Sequence, residues 1–194
     1  MPIRTAAVPN SPAPAPPAAD RSIDAQRALR NALGLFATGV AVITAVDRSG
    51  TAIGLTVNSF SSVSLDPPLV AWSLRRASPL VEVFAEGRSL SIHVLRSHQV
   101  EVARQFARRG VDRFAQVAWA PGFDAVPRLD DALARFDCRT ESVIVAGDHH
   151  LYLCRVVEHV AWDGVPLLFA AGRYRTLDAV VPPGPDGYDD GLWF

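Results

Sequence analysis

Hydrophobic residues in this chain come in short runs that are bounded by glycine, proline, asparagine or aspartate. Many of the runs are rich in valine and isoleucine, and β-branched runs between turn residues are typical of strands. The tight Ala146-Gly147-Asp148 turn joins the two longest runs and is typical of a hairpin. We predict strands over residues 40–46, 51–57, 69–74, 90–95, 132–145, 149–162 and 166–170.

Three other stretches have the start and stop signals or the apolar spacing of helices. The first begins at Ser22, which can cap it, and ends at Gly39. Shorter helices are expected over 78–84, where Pro79 is the first helical residue, and over 97–108. The apolar face of the first helix consists of Leu29, Ala32, Leu33 and Phe36.

These elements predict a mainly β fold. Antiparallel strands with a few inserted helices favour a closed or partly closed barrel over a doubly wound sheet, in which helices alternate with strands. Residues 22–181 are expected to form one domain, in which 111–129 is an irregular excursion. The Pro/Ala-rich segment 1–21 is predicted to be a disordered tail, and the Pro/Gly-rich segment 182–194 a C-terminal tail.

Composition argues against several kinds of partner. With 194 residues and a net charge of -1, the chain has no long-range attraction for nucleic acid or for an anionic membrane. No apolar run approaches the roughly 18 residues of a membrane helix, and the N-terminus lacks the apolar core of a secretory signal, so a cytoplasmic protein is expected. Cys138 and Cys154 can form a cross-strand pair, but a reducing compartment favours two small buried residues.

The segment from Gly54 to Leu74 is the most informative part of the sequence. Two apolar runs flank a polar centre, which we expect to turn its hydrogen-bonding groups toward a phosphate-bearing cofactor. The alternative is a solvated connection between two strands. The chain has neither of the glycine-rich phosphate motifs GxGxxG and GxxxxGK[ST]. The polar residues are Thr56, Asn58, Ser59, Ser61, Ser62 and Ser64.

Three motifs carry a resemblance to a known family: FATGVAVITA at 36–45, GLTVNSFSSVSLDPPLVAWSL at 54–74 and GDHHLYLCRV at 147–156. Over residues 29–177 the chain resembles the flavin reductase-like family of small NAD(P)H:flavin oxidoreductases, which supply reduced flavin to two-component monooxygenases. The resemblance implies an FMN-binding split barrel that transfers hydride from NADH or NADPH to FMN or FAD. It also implies a homodimer and a separate monooxygenase partner.

The resemblance further implies which residues hold the flavin. Backbone N–H groups and side chains of the polar segment are expected to contact the ring edge, the ribityl chain and the phosphate. These residues are Thr56, Val57, Asn58, Ser59, Ser61 and Ser62. A second candidate patch, which can bind phosphate or simply be solvated surface, consists of Ser73, Arg75 and Ser78.

Other candidates lie further along the chain. His93 stands where many family members have asparagine near the cofactor, although a lone histidine on a strand is more often a satisfied core residue. Arg113 and Phe114 match the segment that lies over the flavin in relatives, and Arg113 is a candidate phosphate contact. Tyr174, in the GRYR segment, matches a region near the dinucleotide, or it is part of an ordinary rim.

The catalytic candidate is His149, which follows the Gly147-Asp148 turn and resembles a family histidine on the nicotinamide side of the flavin. The alternative is a residue chosen for turn geometry. His149 and His150 point to opposite faces of a strand and cannot share a metal, so no metal is expected. The competing functions are a protein that retains its flavin, as an oxidase, a tailoring enzyme or a carrier, and a β-rich binder of oligosaccharide or nucleic acid. The last lacks the aromatic and basic face such binders use.

Overall fold

The computed structural model describes residues 23–177, and antiparallel strands are its main elements. The predicted tails at 1–21 and 182–194 lie outside the described residues. The described residues contain two α-helices, α1 (Ile23–Leu33) and α2 (Val100–Ala107). The strands are β1 (Thr38–Gly39), β2 (Ala41–Val46), β3 (Ala52–Val57), β4 (Ser61–Leu65), β5 (Pro68–Arg75), β6 (Ser89–Val94), β7 (Trp119–Pro121), β8 (Pro127–Leu129), β9 (Ala134–Ala146), β10 (His149–Ala161), β11 (Leu168–Ala170) and β12 (Arg173–Arg175).

Seven of the strands form one antiparallel sheet in the order β3-β2-β6-β9-β10-β5-β4. Two smaller sheets have the orders β1-β11-β12 and β7-β8. Leu55 of β3 and Trp72 of β5 come from opposite ends of the large sheet, yet they belong to one core cluster. The sheet therefore curves around a single core. The predicted mainly β, antiparallel fold is confirmed, and this curvature agrees with a split barrel.

The centre of the core is aromatic. The ring of Trp72 stacks on that of Tyr152, with centroids 4.4 Å apart and planes at 12°. Phe84 meets the Trp72 ring edge-on at 4.9 Å, a geometry that suits the aromatic quadrupoles. All three residues are fully buried. Cys138 and Cys154 lie in the same cluster as free thiols, so the cross-strand pairing alternative is wrong.

Strand β2 is buried on both faces, which explains its continuous apolar run. Ala41, Ile43 and Ala45 face the main core, whereas Val42 and the preceding Val40 face a second cluster beneath α2. A strand covered on both sides has no solvent face on which polar residues are required. The second cluster holds α2 against the sheet beside β3.

The helix predictions need correction at their ends. The first helix stops at Leu33 instead of reaching Gly39, and its predicted apolar face is exposed. The segment 78–84 forms only a 3-10 turn at Val81–Phe84, because two β-branched valines in four residues disfavour an α-helix. The third helix, α2, is shorter at its start than the predicted 97–108. None of the helices within residues 23–177 is long and apolar enough to cross a bilayer.

Two segments that were predicted to be irregular contain strands. Ser61–Leu65 pairs with β5 as the edge strand β4, because the Asp66-Pro67 turn folds the chain back along a free strand edge. An edge strand can keep its hydroxyls in water, so its polar composition does not prevent pairing. Within 111–129, β7 and β8 form a hairpin. Strands β1 and β12 have two and three residues and are too short for any periodicity to predict.

Candidate functional site

A groove of about 930 Å³ opens between β3, the end of β5 and the loop that follows α2. Residues from Thr51 to Thr56 form one wall, and Arg75, Ser78 and Leu80 lie on a second. The loop after α2 closes the third side. Ligand pockets usually have volumes of about 300–1,000 Å³, so this groove has room for a ligand of nucleotide size.

Gly54 lies where β3 comes closest to α2. A Cβ atom at this position would lie 2.4 Å from Cε1 of Phe106, 2.7 Å from its Cδ1 and 3.3 Å from Cζ of Phe114. The two rings pack edge to face, with centroids 5.0 Å apart and planes at 90°. Phe106 is fully buried and has no room to retreat. Glycine at position 54 is therefore a packing requirement of the groove.

The groove carries a positive charge. Among the described residues, its lining includes three arginines, Arg75, Arg109 and Arg113, and one carboxylate, that of Asp112. Oδ1 of this aspartate accepts a hydrogen bond from the backbone N–H of Phe114 at 3.0 Å. An excess of guanidinium groups around a cavity favours an anionic ligand, and guanidinium matches phosphate geometry well.

Five of the residues predicted from the sequence line this groove. They are Thr56, Arg75, Ser78, Arg113 and Phe114. Two of the hydroxyls are already in use: Oγ1 of Thr56 donates to the backbone oxygen of Ala103 at 2.7 Å, and Oγ of Ser78 accepts from the backbone N–H of Leu80 at 3.2 Å. Thr56 therefore ties β3 to α2, and Ser78 shapes the turn after β5.

Arg113 is also held by its own chain. Its Nε donates to the backbone oxygen of Arg108 at 2.8 Å, and its Nη1 donates to that of Gly54. Partial burial, followed by the nearby charge of Arg109, lowers the pKa of the Arg113 guanidinium. The arginine thus joins the loop after α2 to β3.

The rest of the predicted polar segment lies beside the groove and not in its lining. Val57 is a core residue, and Asn58 is exposed just beyond the end of β3. Oγ of Ser59 accepts from the N–H of Ser73 at 3.0 Å and donates to its oxygen at 3.3 Å. At Ser73, these two hydrogen bonds take the place of the backbone pairing that a neighbouring strand would provide. In β4, Ser61 and Ser62 are exposed.

His93 does not line the groove, and its surroundings favour the alternative of a satisfied core residue. The side chain is fully buried, with Nδ1 3.2 Å from the backbone oxygen of Val42 and Nε2 accepting the N–H of Leu129 at 3.1 Å. A neutral ring with its proton on Nδ1 satisfies both partners, and no nitrogen is left for a ligand. Burial, the largest cause, lowers the pKa of His93 to about 4. The residue fastens the β7–β8 hairpin to the sheet.

His149 is not among the residues that line the groove, but it is paired with one that is. It stands directly opposite Arg75 in the register of β10 with β5. Its Nδ1 is 2.8 Å from Oδ1 of Asp148, and its side chain remains 37% exposed. The hydrogen bond to His149, followed by its charge, lowers the pKa of Asp148. A carboxylate partner at Nδ1 orients the ring and leaves Nε2 available for another group.

Tyr174 does not reach the groove. Its ring packs against Phe169 at 5.4 Å, and the guanidinium of Arg104 lies 5.9 Å from its centroid. Partial burial raises the pKa of the phenol. The structure therefore favours the alternative of an ordinary packed rim residue.

Two further residues that shape the groove were not predicted as site residues. Arg109 lies in an Ala-Arg-Arg-Gly run that has no distinguishing motif, and Gly54 was seen only as the start of a polar segment. The close approach of Phe106 to Gly54 joins residues more than fifty positions apart, so no local pattern predicts it. Within residues 23–177 no three histidine, cysteine or acidic side chains form a cluster suited to a metal.

A curved antiparallel sheet with a cationic groove of this volume defines a small β protein suited to an anionic ligand of nucleotide size. The chain belongs to the flavin reductase like domain family, whose model matches residues 33–178. This confirms the resemblance that the sequence motifs carry.

Similar proteins bear out the assignment. FMN reductase (NADH) SmoA of Agrobacterium fabrum is 43% identical over 148 residues, which make up 76% of this chain and 84% of that protein. The reductase component of the flavin-dependent trigonelline monooxygenase of Acinetobacter baylyi is 40% identical over 77% of this chain, which spans only 48% of that relative. The crystal structure of a nitrilotriacetate monooxygenase component B homolog from Mycobacterium thermoresistibile matches with a TM-score of 0.80 and 33% identity, over 90% of this chain and 98% of that one.

Proposed function

We propose that this protein is an NAD(P)H-dependent flavin reductase that transfers hydride from a nicotinamide nucleotide to FMN or FAD. The observation that carries the proposal is the groove beside β3, which has about 930 Å³ of space and three arginines against one aspartate. Flavin and nicotinamide nucleotides both carry phosphate groups, which match this charge. Membership of the flavin reductase like family and the names of the relatives support the same activity.

Hydride transfer requires close stacking and orientation more than acid–base chemistry. A bound flavin supplies the hydride acceptor. The chain's own residues supply binding and orientation: the floor formed by Gly54 and Phe114 is apolar, and arginines lie at the sides. We assign His149, which is paired with Arg75 of the groove lining, to the nicotinamide nucleotide.

The decisive experiment is an assay of NADH and NADPH oxidation by the purified protein with FMN, FAD or riboflavin added. We expect oxidation that depends on added flavin, and the fastest pair identifies the preferred nucleotide and flavin. Absence of acceleration with every pair overturns the proposal. A yellow colour that survives dialysis, without turnover of added flavin, favours a protein that retains its flavin.

A separate monooxygenase is the proposed recipient of the reduced flavin. The support is the name of the trigonelline monooxygenase reductase component, a relative of which this chain spans about half. Coupling is tested by adding a flavin-dependent oxygenase without its own reductase and following oxygenated product. Product that forms only when this protein, NADH and flavin are all present is the expected result, and its absence despite active flavin reduction counts against the partner.

We also propose a homodimer. The side chains of α1 from Asp24 to Leu33 are all exposed, with Leu29 at 53% and Leu33 at 66%, and Phe36 in the next turn is 78% exposed. An eleven-residue helix is marginal in water by itself, so this apolar face suits contact with a second copy. The apolar 192–194 segment, which also favoured a dimer, lies outside the described residues. Light scattering at micromolar concentration should give twice the chain mass, and a single-chain mass contradicts the proposal.

A further inference from the structure

Two arginines of one loop differ in what holds their guanidinium groups. Arg109 and Arg113 both line the groove after α2. Arg113 is bound to the backbone oxygens of Arg108 and Gly54. Arg109 makes no side-chain hydrogen bond or ion pair with the described part of the chain. Of the two cations, Arg109 is therefore the one whose donors remain available to a ligand.

The loop that carries Arg109 is fastened to two neighbouring elements. Nε2 of Gln105, in α2, donates to the backbone oxygen of Asp112 at 2.8 Å. The side chain of Arg113 joins the loop to β3 at Gly54. Gly110, at φ 71°, allows the chain to turn directly after Arg109. Arg109 thus lies at the turn of a braced loop, at the edge of the groove.

The local charge is not balanced. Arg109 is close enough for its charge to contribute to the lowered pKa of Arg113, after the larger effect of partial burial. The sole carboxylate of the lining, Asp112, forms no ion pair among the described residues and accepts the backbone N–H of Phe114. Two neighbouring guanidinium groups with one carboxylate attract a dianion such as a phosphate monoester more strongly than a neutral ligand.

We propose that Arg109 binds the phosphate of the flavin nucleotide, and that Arg113 is a positioning residue that holds the 108–114 loop against β3. The inference rests on the function proposed above. It reverses the role that the family resemblance implies for Arg113, because the guanidinium of that residue is directed to two backbone oxygens. Arg75, on the opposite wall, remains available to the second nucleotide.

The test compares FMN with riboflavin, which differ only in the phosphate, by titration of each flavin into wild type and variants. For Arg109→Gln we expect the FMN dissociation constant to rise about 10- to 100-fold, since a charge-assisted contact is lost. The riboflavin constant should change less than about threefold. Arg108→Gln is the matched control, because Arg108 is exposed, lies in the same loop and does not line the groove.

Arg113 supplies the second arm of the experiment. Arg113→Gln should weaken FMN and riboflavin by similar factors and lower the melting temperature, because the loop loses its attachment to Gly54. Arg113→Lys keeps the charge but lacks the planar guanidinium that donates to two oxygens. The ratio of its FMN and riboflavin dissociation constants should therefore equal that of Arg113→Gln. If Arg113→Gln fails to fold, Arg113→Lys and Arg109→Gln still decide the matter.

The outcomes separate this inference from the proposed function. If wild type reduces flavin but Arg109→Gln keeps the wild-type preference for FMN over riboflavin, the phosphate lies elsewhere and the inference is overturned. The inference is also overturned if Arg113→Gln abolishes the preference for FMN and Arg113→Lys keeps it. In that case Arg113 contributes its charge to phosphate binding and does not merely hold the loop in place. If wild type neither binds nor reduces any flavin, the proposed function and this inference fail together.

Discussion

Two polar regions of this molecule differ in how their polar groups are satisfied. The first, which we call the buried polar cluster, consists of Thr44, Ser91, His93 and Asp137. The second is the groove beside β3. In the buried polar cluster, Thr44 Oγ1 donates to the backbone oxygen of Pro127 at 2.6 Å, and Ser91 donates to Asp137. Each side chain of the buried polar cluster has a partner within the chain.

The groove differs because it includes polar side chains that have no hydrogen-bond or ion-pair partner among the described residues. Arg109 is the clearest example, while Arg113 beside it is bound to backbone oxygens. Buried polar groups must find partners when a protein folds, so a group that is fully satisfied internally has a structural role. A charged group that lines a cavity without such a partner is the better ligand candidate. The comparison thus separates His93, a predicted cofactor contact, from the cations of the groove.

The largest effect is expected from Gly54→Ala, which places Cβ 2.4 Å from Cε1 of the fully buried Phe106. Overpacking of this kind costs about 1–3 kcal/mol of unfolding free energy, and the severity of the contact favours the upper value. The groove floor must shift, so flavin binding should weaken as well. Thermal unfolding and flavin titration measure both. The control is Gly39→Ala, where a Cβ meets no atom within 4 Å. Equal melting temperatures for the two variants would contradict the packing argument.

The next prediction concerns the pH dependence of stability. Burial lowers the pKa of His93 from 6.5 to about 4, so between these values the unfolded chain binds a proton that the folded protein does not. The stabilisation is complete above pH 6.5 and decreases as the pH falls toward 4, by at most about 1.4 kcal/mol per pH unit. Urea unfolding at pH 7 and pH 5 should show this loss of unfolding free energy in wild type and a smaller loss in His93→Gln. The control is His159→Gln, at an exposed position on β10, which should lose as much as wild type. If His93→Gln also loses as much as wild type, His93 is not the source of the pH dependence.

His149→Ala tests the residue that is paired with Arg75. Because hydride transfer depends steeply on approach geometry, we expect the catalytic efficiency for NADH to fall about 10- to 100-fold. Flavin affinity should change far less. Steady-state kinetics with varied NADH, together with a flavin titration, gives both values, and His159→Ala on the same strand is the control. Unchanged efficiency would assign His149 to the geometry of the hairpin turn.

The smallest effect is expected from Thr56→Val, which removes the hydroxyl that donates to Ala103 O at 2.7 Å. The loss of one such hydrogen bond costs about 1 kcal/mol of unfolding free energy. Chemical denaturation should therefore show a modest decrease in stability, and flavin affinity should change little. Thr51→Val is the comparison, since Thr51 lines the same groove and has no bond to α2. A tenfold loss of flavin affinity in Thr56→Val at unchanged stability would make Thr56 a direct flavin contact, as the family resemblance implies.

The elements that the sequence predicted well are those whose burial is uniform along the chain. The β2 run is apolar at successive positions because both of its faces are covered, and the β9–β10 hairpin follows from Gly147 at φ 61° between two long runs. The predictions failed where the environment changes within a few residues. Hydroxyl-rich β4 is a strand because β5 offers it an edge, and 78–84 is only partly helical because Val81 and Val83 disfavour a full α-helix.

The candidate site was predictable only in part, for a related reason. Motif positions led to Thr56, Arg75, Ser78, Arg113 and Phe114, which the fold brings to one groove. The same reasoning included His93, because a strand histidine has the same sequence signature whether a ligand or the backbone satisfies it. It omitted Arg109, because a guanidinium is available to a ligand only when no other group of the folded chain accepts its hydrogen bonds. Such acceptors can be distant in the sequence.

The sequence by itself determined the mainly β class, the family and the segments that carry the site, since these depend on periodicity, turn residues and motif order. The tertiary structure alone decided which polar side chains are satisfied internally. That decision depends on contacts across long separations, such as Gly54 with Phe106 and His93 with Leu129. A hydrogen bond is short-ranged and directional, so its presence is set by the packing of elements and not by residue type.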